Sequence, residues 1–112
     1  MKYALVTGGS RGIGRSVCIP LAQMGIPVLI NYQSNDEAAQ GVLSTIKANG
    51  GVAELLKFNV GMEQEVTAAL DSWETAHPED YIGYLVNNAG IRKDNLMFMM
   101  PEQDWHDVIN VS

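Results

Sequence analysis

The sequence holds a single cysteine, Cys18, in 112 residues. An internal disulfide is therefore excluded, and such sparse thiol usage suits a reducing compartment. Long apolar runs are also missing: no stretch approaches the roughly 20 residues of a membrane span. No basic-then-apolar leader precedes the first strand-like segment, which begins at Lys2. These features predict a cytoplasmic protein that does not engage a membrane. Positive charge is scarce, with seven Lys and Arg against thirteen Asp and Glu and a formal net charge of −6. Phosphate backbones need a basic surface, so a nucleic-acid partner is not expected. The two histidines, His77 and His106, lack the spacing of a metal pair and are joined by no second cysteine, so no metal site is expected.

What is present is ordinary globular composition, 46% apolar and 18% charged, in a length that supports one small domain with one core. Strand and helix patterns alternate along it. "YALVT" (3–7) is a short apolar, β-branched run of the kind buried on both faces of a sheet. A helix is expected over 12–24, with Ile13, Val17, Leu21 and Met24 on one face and Gly25 as its stop. Pro20 falls inside it, and removing one helical hydrogen bond there predicts a kink. "PVLINY" (27–32) is the second strand. "SNDE" (34–37) has the serine-to-glutamate spacing of a capping box and opens a helix ending at "NGG" (49–51).

"VAELLKFNV" (52–60) supplies a third strand, and a helix over 62–76 places Val66, Ala69, Leu70 and Trp73 on one side. "YIGYLVNNAG" (81–90) contains the fourth strand. "MPEQDWHDVINVS" (100–112) begins a fourth helix with Pro101 near its first turn. This alternation predicts an α/β fold: a parallel sheet with helices on both faces, joined by right-handed crossovers.

Between the first strand and first helix stands "TGGSRGIG" (7–14), four of whose eight residues are glycine. Glycine is entropically costly, so its density marks a need for bare backbone. At this position a dinucleotide pyrophosphate meets converging amide N–H groups and the positive end of the helix dipole. Gly8 suits the tight turn, Gly12 the approach of backbone to phosphate, and Gly14 the packing of helix on strand. The end of the second strand, "NYQSN", carries no acid to hold a ribose 2′-hydroxyl. Asp36 and Glu37 come later, in the first helical turn, and read as partners of its dipole. Arg11 lies inside the loop, where a guanidinium pairs with a 2′-phosphate. NADP(H) is therefore expected rather than NAD(H).

These residues resemble the short-chain dehydrogenase/reductase family over the whole chain. "TGGSRGIG" is similar to its cofactor loop, T-G-x-x-x-G-x-G, and "NNAG" (87–90) to the motif closing its fourth strand. "NNAGIRKDNL" and "DWHDVINV" resemble more narrowly the β-ketoacyl-acyl carrier protein reductases, with acetoacetyl-CoA reductases as close relatives. The resemblance implies a partial Rossmann fold with four strands in the order 3-2-1-4, forming the NADP-binding N-terminal part of a single domain over 1–112. It implies that Ser10, Arg11 and Ile13 line the pyrophosphate and 2′-phosphate region, with Tyr32 and Gln33 nearby. Asn59 and Val60 then match the pair that contacts adenine. Asn88, Ala89 and Gly90 lie beside ribose and nicotinamide, and Asn87 stabilises the central strands.

The same resemblance implies reduction of a β-keto acyl thioester, carried on acyl carrier protein or CoA, in a homo-oligomeric parent. Its catalytic serine, tyrosine and lysine are expected beyond residue 112, because no Y-x-x-x-K occurs in this sequence; the alternative that absence leaves is a non-catalytic NADP(H)-binding module. Ser112 falls where the family has a helical asparagine. With the C-terminal half absent, Ile82, Leu85 and Val86 are expected on an open, aggregation-prone sheet edge and the chain to be marginally stable. "LMFMM" (96–100) suits either an acyl-chain channel or packing beneath a loop. Arg92 and Lys93 read as a solvated pair, and Cys18 as a packed small residue.

Overall fold

A computed structural model describes residues 1–10, 12–89 and 107–110. Short apolar segments alternate with amphipathic ones, so each strand hands the chain to a helix that crosses back over the sheet. The elements are β1 (Lys2–Val6), α1 (Gly12–Gln23), β2 (Val28–Tyr32), α2 (Asp36–Ala48), β3 (Ala53–Lys57), α3 (Glu63–Ala76), β4 (Tyr81–Asn87) and β5 (Asp107–Asn110). The five strands form one sheet in the order β3-β2-β1-β4-β5, parallel throughout. The expected 3-2-1-4 arrangement is its larger part. Val6 aligns with Ile30 on one side and with Val86 on the other, which brings the ends of β1, β2 and β4 level. A register shift at Tyr3/Ala4 leaves Gly83 as the extra residue of β4.

Alternation along the strands divides the core between two faces. Tyr3, Leu5, Leu29, Ile82 and Leu85 point to one side, where Val66, Leu70 and Trp73 of α3 cover them together with Phe58. Val6, Val28, Ile30 and Val86 point to the other, against Cys18 and Ala22 of α1 and Val42 and Ile46 of α2. Each strand residue thus serves one helical layer, which is why the strands read as continuous apolar runs. Among the described residues no helix is long and apolar enough to cross a membrane.

Three local expectations need correction. Helix α1 buries Gly14, Cys18 and Ala22, while Ile13 and Met24 stay 53% and 73% exposed. These small residues of α1 are buried, and of the expected face Val17 and Leu21 pack partly against the core; Pro20 stands inside the helix. The cap of α2 is Asn35, whose Oδ1 accepts the Ala38 amide at 3.0 Å, rather than Ser34. The third correction concerns the end of the chain. Residues 107–110 form strand β5, not helix, and pair with Tyr84–Asn87 of β4.

Isolated short helices are marginal, whereas Val108 and Ile109 are β-branched and the β4 edge offers unpaired backbone groups. Leu85 and Val86 are therefore covered on the side expected to be open. The Arg92–Lys93 pair, the 96–100 run, His106 and Ser112 lie outside the described residues.

Candidate functional site

Strand order reverses between β1 and β4: the chain moves outward through β2 and β3, then α3 carries it back to the far side of β1. A crevice opens at such a reversal, outside the carboxyl ends of the strands, and it is where open α/β sheets take their ligands. The glycine loop starts there. Gly8 and Gly12 have φ of +62° and +58°, left-handed conformations that side chains resist. The two glycines differ in surroundings. Among the described residues, a Cβ on Gly12 would meet nothing within 4 Å, so none of them fills the space before the first turn of α1. Gly14 is the opposite case, because a Cβ there would collide with the Gly8 carbonyl oxygen and stand 2.7 Å from Asn88 Nδ2. Gly14 thus lets the helix pack on the loop, where its place in the motif had suggested packing on the strand.

Two buried polar side chains hold this loop. The Thr7 hydroxyl donates toward Asn87 Oδ1 (3.3 Å) and accepts the amides of Asn88 (2.9 Å) and Ala89 (3.2 Å). It ties the end of β1 to the end of β4. Asn31, on β2, accepts the Gly8 amide at 3.0 Å and donates to the carbonyls of Phe58 (3.0 Å) and Leu56 (3.3 Å). One amide therefore ties the loop to β2 and β3, and buried amides satisfied in this way fix geometry. Asn88 completes the set by donating Nδ2 to the Gly8 carbonyl at 3.1 Å. Sequence reasoning gave Thr7 and Asn31 no role. The available signal was a polar residue near the carboxyl end of each of two largely apolar segments, Thr7 just after β1 and Asn31 next to last in β2.

A cleft of about 570 Å³ opens between this loop and the end of β2, lined by Gly8, Ser10, Gly12, Tyr32, Gln33, Ser34 and Asn35. A neighbouring cavity of about 470 Å³ between α1 and α2 shares Ser10, Gly12 and Asn35 and adds Arg15. The helix termini around the cleft differ in charge. The first turns of α2 and α3 carry Asp36 with Glu37 and Glu63 with Glu65, whereas the first turn of α1 carries no acid. Its dipole is left for an external anion.

Tyr32 is 8% exposed. Burial first, then the neighbouring Asp36 carboxylate, raises the Tyr32 pKa. Asp36 receives Lys57 Nζ at 3.2 Å, and the neighbouring Tyr32 hydroxyl first and Lys57 second lower its pKa.

The structure brings Gly8, Ser10, Gly12, Tyr32 and Gln33 to one cleft and places Gly14 and Asn88 behind its floor. Ile13 is exposed beside it. Asn59 and Val60 follow β3; Asn59 is turned into its own loop, its Oδ1 on the Gly61 amide at 2.9 Å, while Val60 packs against the α3-side core. Ala89 approaches the loop through Thr7. Arg11 and Gly90 lie outside the described residues.

A parallel sheet of this order, with a left-handed glycine turn at its point of reversal, defines a partial Rossmann fold. The chain belongs to the short-chain dehydrogenase family, whose model matches residues 2–112. It is 44% identical over 111 residues to the 3-oxoacyl-[acyl-carrier-protein] reductase FabG of Staphylococcus aureus, covering 99% of this chain and 44% of that protein. The 3-oxoacyl-[acyl-carrier-protein] reductase of Synechocystis sp. is 41% identical, with the same coverage of each. Among solved structures, a short chain dehydrogenase from Burkholderia cenocepacia in complex with NADP superposes with a TM-score of 0.70 at 41% identity, over 80% of this chain and 36% of its own. A dehydrogenase/reductase from Sinorhizobium meliloti gives a TM-score of 0.72 at 37% identity, over 80% and 35%. The chain spans less than half the length of the curated relatives it matches.

Proposed function

We propose that this chain is the NADP(H)-binding N-terminal portion of a cytoplasmic 3-oxoacyl-[acyl-carrier-protein] reductase, with a CoA-linked β-keto thioester as the alternative substrate. The observation that carries this reading is the open space at Gly12, in front of a helix whose first turn carries no acid. A phosphate-bearing dinucleotide fits those residues: left-handed backbone leaves room for it, and the helix dipole favours its charge. Ser10, Gly12 and Ile13 would hold the pyrophosphate, with Arg11 on the 2′-phosphate and Tyr32 and Gln33 beside the adenosine. Asn59 and Val60 would meet the adenine, and Asn88, Ala89 and Gly90 the nicotinamide end. Bound there, NADPH supplies hydride for reduction of a β-keto carbonyl. The names of the 44% and 41% identical relatives support the substrate class.

Residues 1–112 contain no Y-x-x-x-K, so the 112-residue chain is expected to bind the dinucleotide without turning it over. Titrating the chain with NADPH while following nicotinamide fluorescence tests the reading. Saturable binding in the micromolar range supports it, and absence of binding rejects it. Comparing NADPH oxidation on acyl carrier protein and CoA thioesters, in a longer protein that includes the tyrosine and lysine, separates the two substrates.

A further inference from the structure

Asp36 has no role in the assignment of the cleft to NADP(H). Asp36 opens α2 directly after Asn35, and Asn35 lines the cleft. It is the first carboxylate after β2. A free acid in that region is the acceptor that selects a ribose 2′-hydroxyl, and its charge repels a 2′-phosphate. Here the acid is engaged from another element. Lys57, the last residue of β3, places Nζ 3.2 Å from Asp36 Oδ1 and 5.9 Å from the centre of the Tyr32 ring. Tyr32, the last residue of β2, lines the cleft beneath it. Asp36 and Lys57 together carry no net charge.

We propose that Lys57 is a positioning residue that occupies the Asp36 carboxylate, and thereby sets the preference of the cleft for a 2′-phosphorylated over a 2′-hydroxylated dinucleotide. This rests on the assignment of the cleft to NADP(H). Removing Lys57 leaves a net negative charge at the mouth of the cleft, which weakens the phosphorylated ligand and gives the hydroxylated one an acceptor. Lys57 acts through Asp36, so the effect requires the acid to be present.

The test is a double-mutant cycle on the full 112-residue chain, reading dissociation constants for NADP⁺ and NAD⁺ by calorimetry. Lys57→Gln is expected to lower the NADP⁺:NAD⁺ preference about threefold at low salt, the scale of an exposed ion pair, and less at high salt. In an Asp36→Asn background Lys57→Gln leaves the preference unchanged. The proposal is overturned if Lys57→Gln has no effect on the ratio, or if it lowers the ratio equally in both backgrounds, since Lys57 then meets the phosphate itself. Failure of the unsubstituted chain to bind either dinucleotide instead removes the cofactor assignment beneath it.

Discussion

Two helical glycines respond in opposite directions to the same substitution. Gly14 lies in α1 and Gly41 in α2, and helix propensity alone favours alanine at both by about 1 kcal/mol. At Gly41 a Cβ meets no atom within 4 Å, so Gly41→Ala keeps that gain. At Gly14 a Cβ overlaps the Gly8 carbonyl oxygen, stands 2.8 Å from its carbon and lies 2.7 Å from Asn88 Nδ2. Neither neighbour yields easily. The first is backbone, and the second is held by its own bond to the Gly8 carbonyl.

Overpacking costs about 1–3 kcal/mol, and a backbone obstruction belongs at the upper end, so Gly14→Ala should lose about 2 kcal/mol net. In a domain of this size about 1 kcal/mol moves the melting temperature by about 4–8 °C. Circular dichroism melts should therefore show Gly14→Ala down by about 10 °C and Gly41→Ala up by about 5 °C. NADPH affinity should fall in the first variant, whose loop must move, and hold in the second. Gly14→Ala melting as high as Gly41→Ala would refute the close packing of helix on loop.

Asn31→Ala removes the partner of one buried amide and two carbonyls, and should cost about 2 kcal/mol or more in urea unfolding. A loss as small as that of an exposed asparagine such as Asn49 would contradict its role as the tie between loop and sheet. Thr7→Val keeps the shape but removes the acceptor for the Asn88 and Ala89 amides; it should destabilise by about 1–3 kcal/mol, with Thr7→Ser nearer wild type. Equal loss in both variants would assign the effect to the methyl group.

At high pH, Tyr3 is the group to follow. Burial first, then its 3.1 Å bond to Glu54 and the charges of Glu54 and Asp80, push its pKa from 10 to about 12. A raised folded pKa means that the contribution to stability is complete below pH 10 and is lost as pH rises through about 12. Tyr3→Phe should flatten the alkaline fall in stability and delete the latest step of phenolate absorbance, and an unchanged titration would count against the Glu54 bond.

The fold was legible where burial decides. Strands such as "VLINY" are buried at every position, so their composition alone announces a parallel sheet, and each glycine-closed helix fell where its pattern placed it. Misreadings arose where two local signals competed. Around α1 the large apolar residues Ile13 and Met24 stay exposed, while Gly14, Cys18 and Ala22 are buried and Val17, Ile19 and Leu21 pack at their flanks. Hydropathy measures what prefers burial; the approach distance decides what can be buried. At α2, Ser34 and Asn35 are both good caps, and the one whose oxygen reaches the third amide onward is Asn35. Residues 107–110 pattern acceptably as helix or strand, and the free edge of β4, a feature no local window contains, favours the strand.

The candidate site divides in the same way. Its glycines carry a backbone requirement that belongs to each residue alone, so Gly8, Gly12 and Gly14 stand out by spacing; the first two have left-handed φ. Thr7, Asn31 and Asp36 act only through partners far along the chain: Asn88 for Thr7, Phe58 for Asn31, Lys57 for Asp36. Their meaning depends on strand register, because Asn31 stands opposite Leu56 and Tyr32 opposite Lys57 only in the parallel pairing of β2 with β3. A slip of one residue would turn Asn31 toward the opposite face and move Lys57 out of line with Tyr32. The register that packs the apolar faces is thus also the one that fastens the glycine turn and engages the acid, so core substitutions at Leu29 or Leu55 that loosen the β2–β3 pairing should weaken dinucleotide binding without touching the cleft.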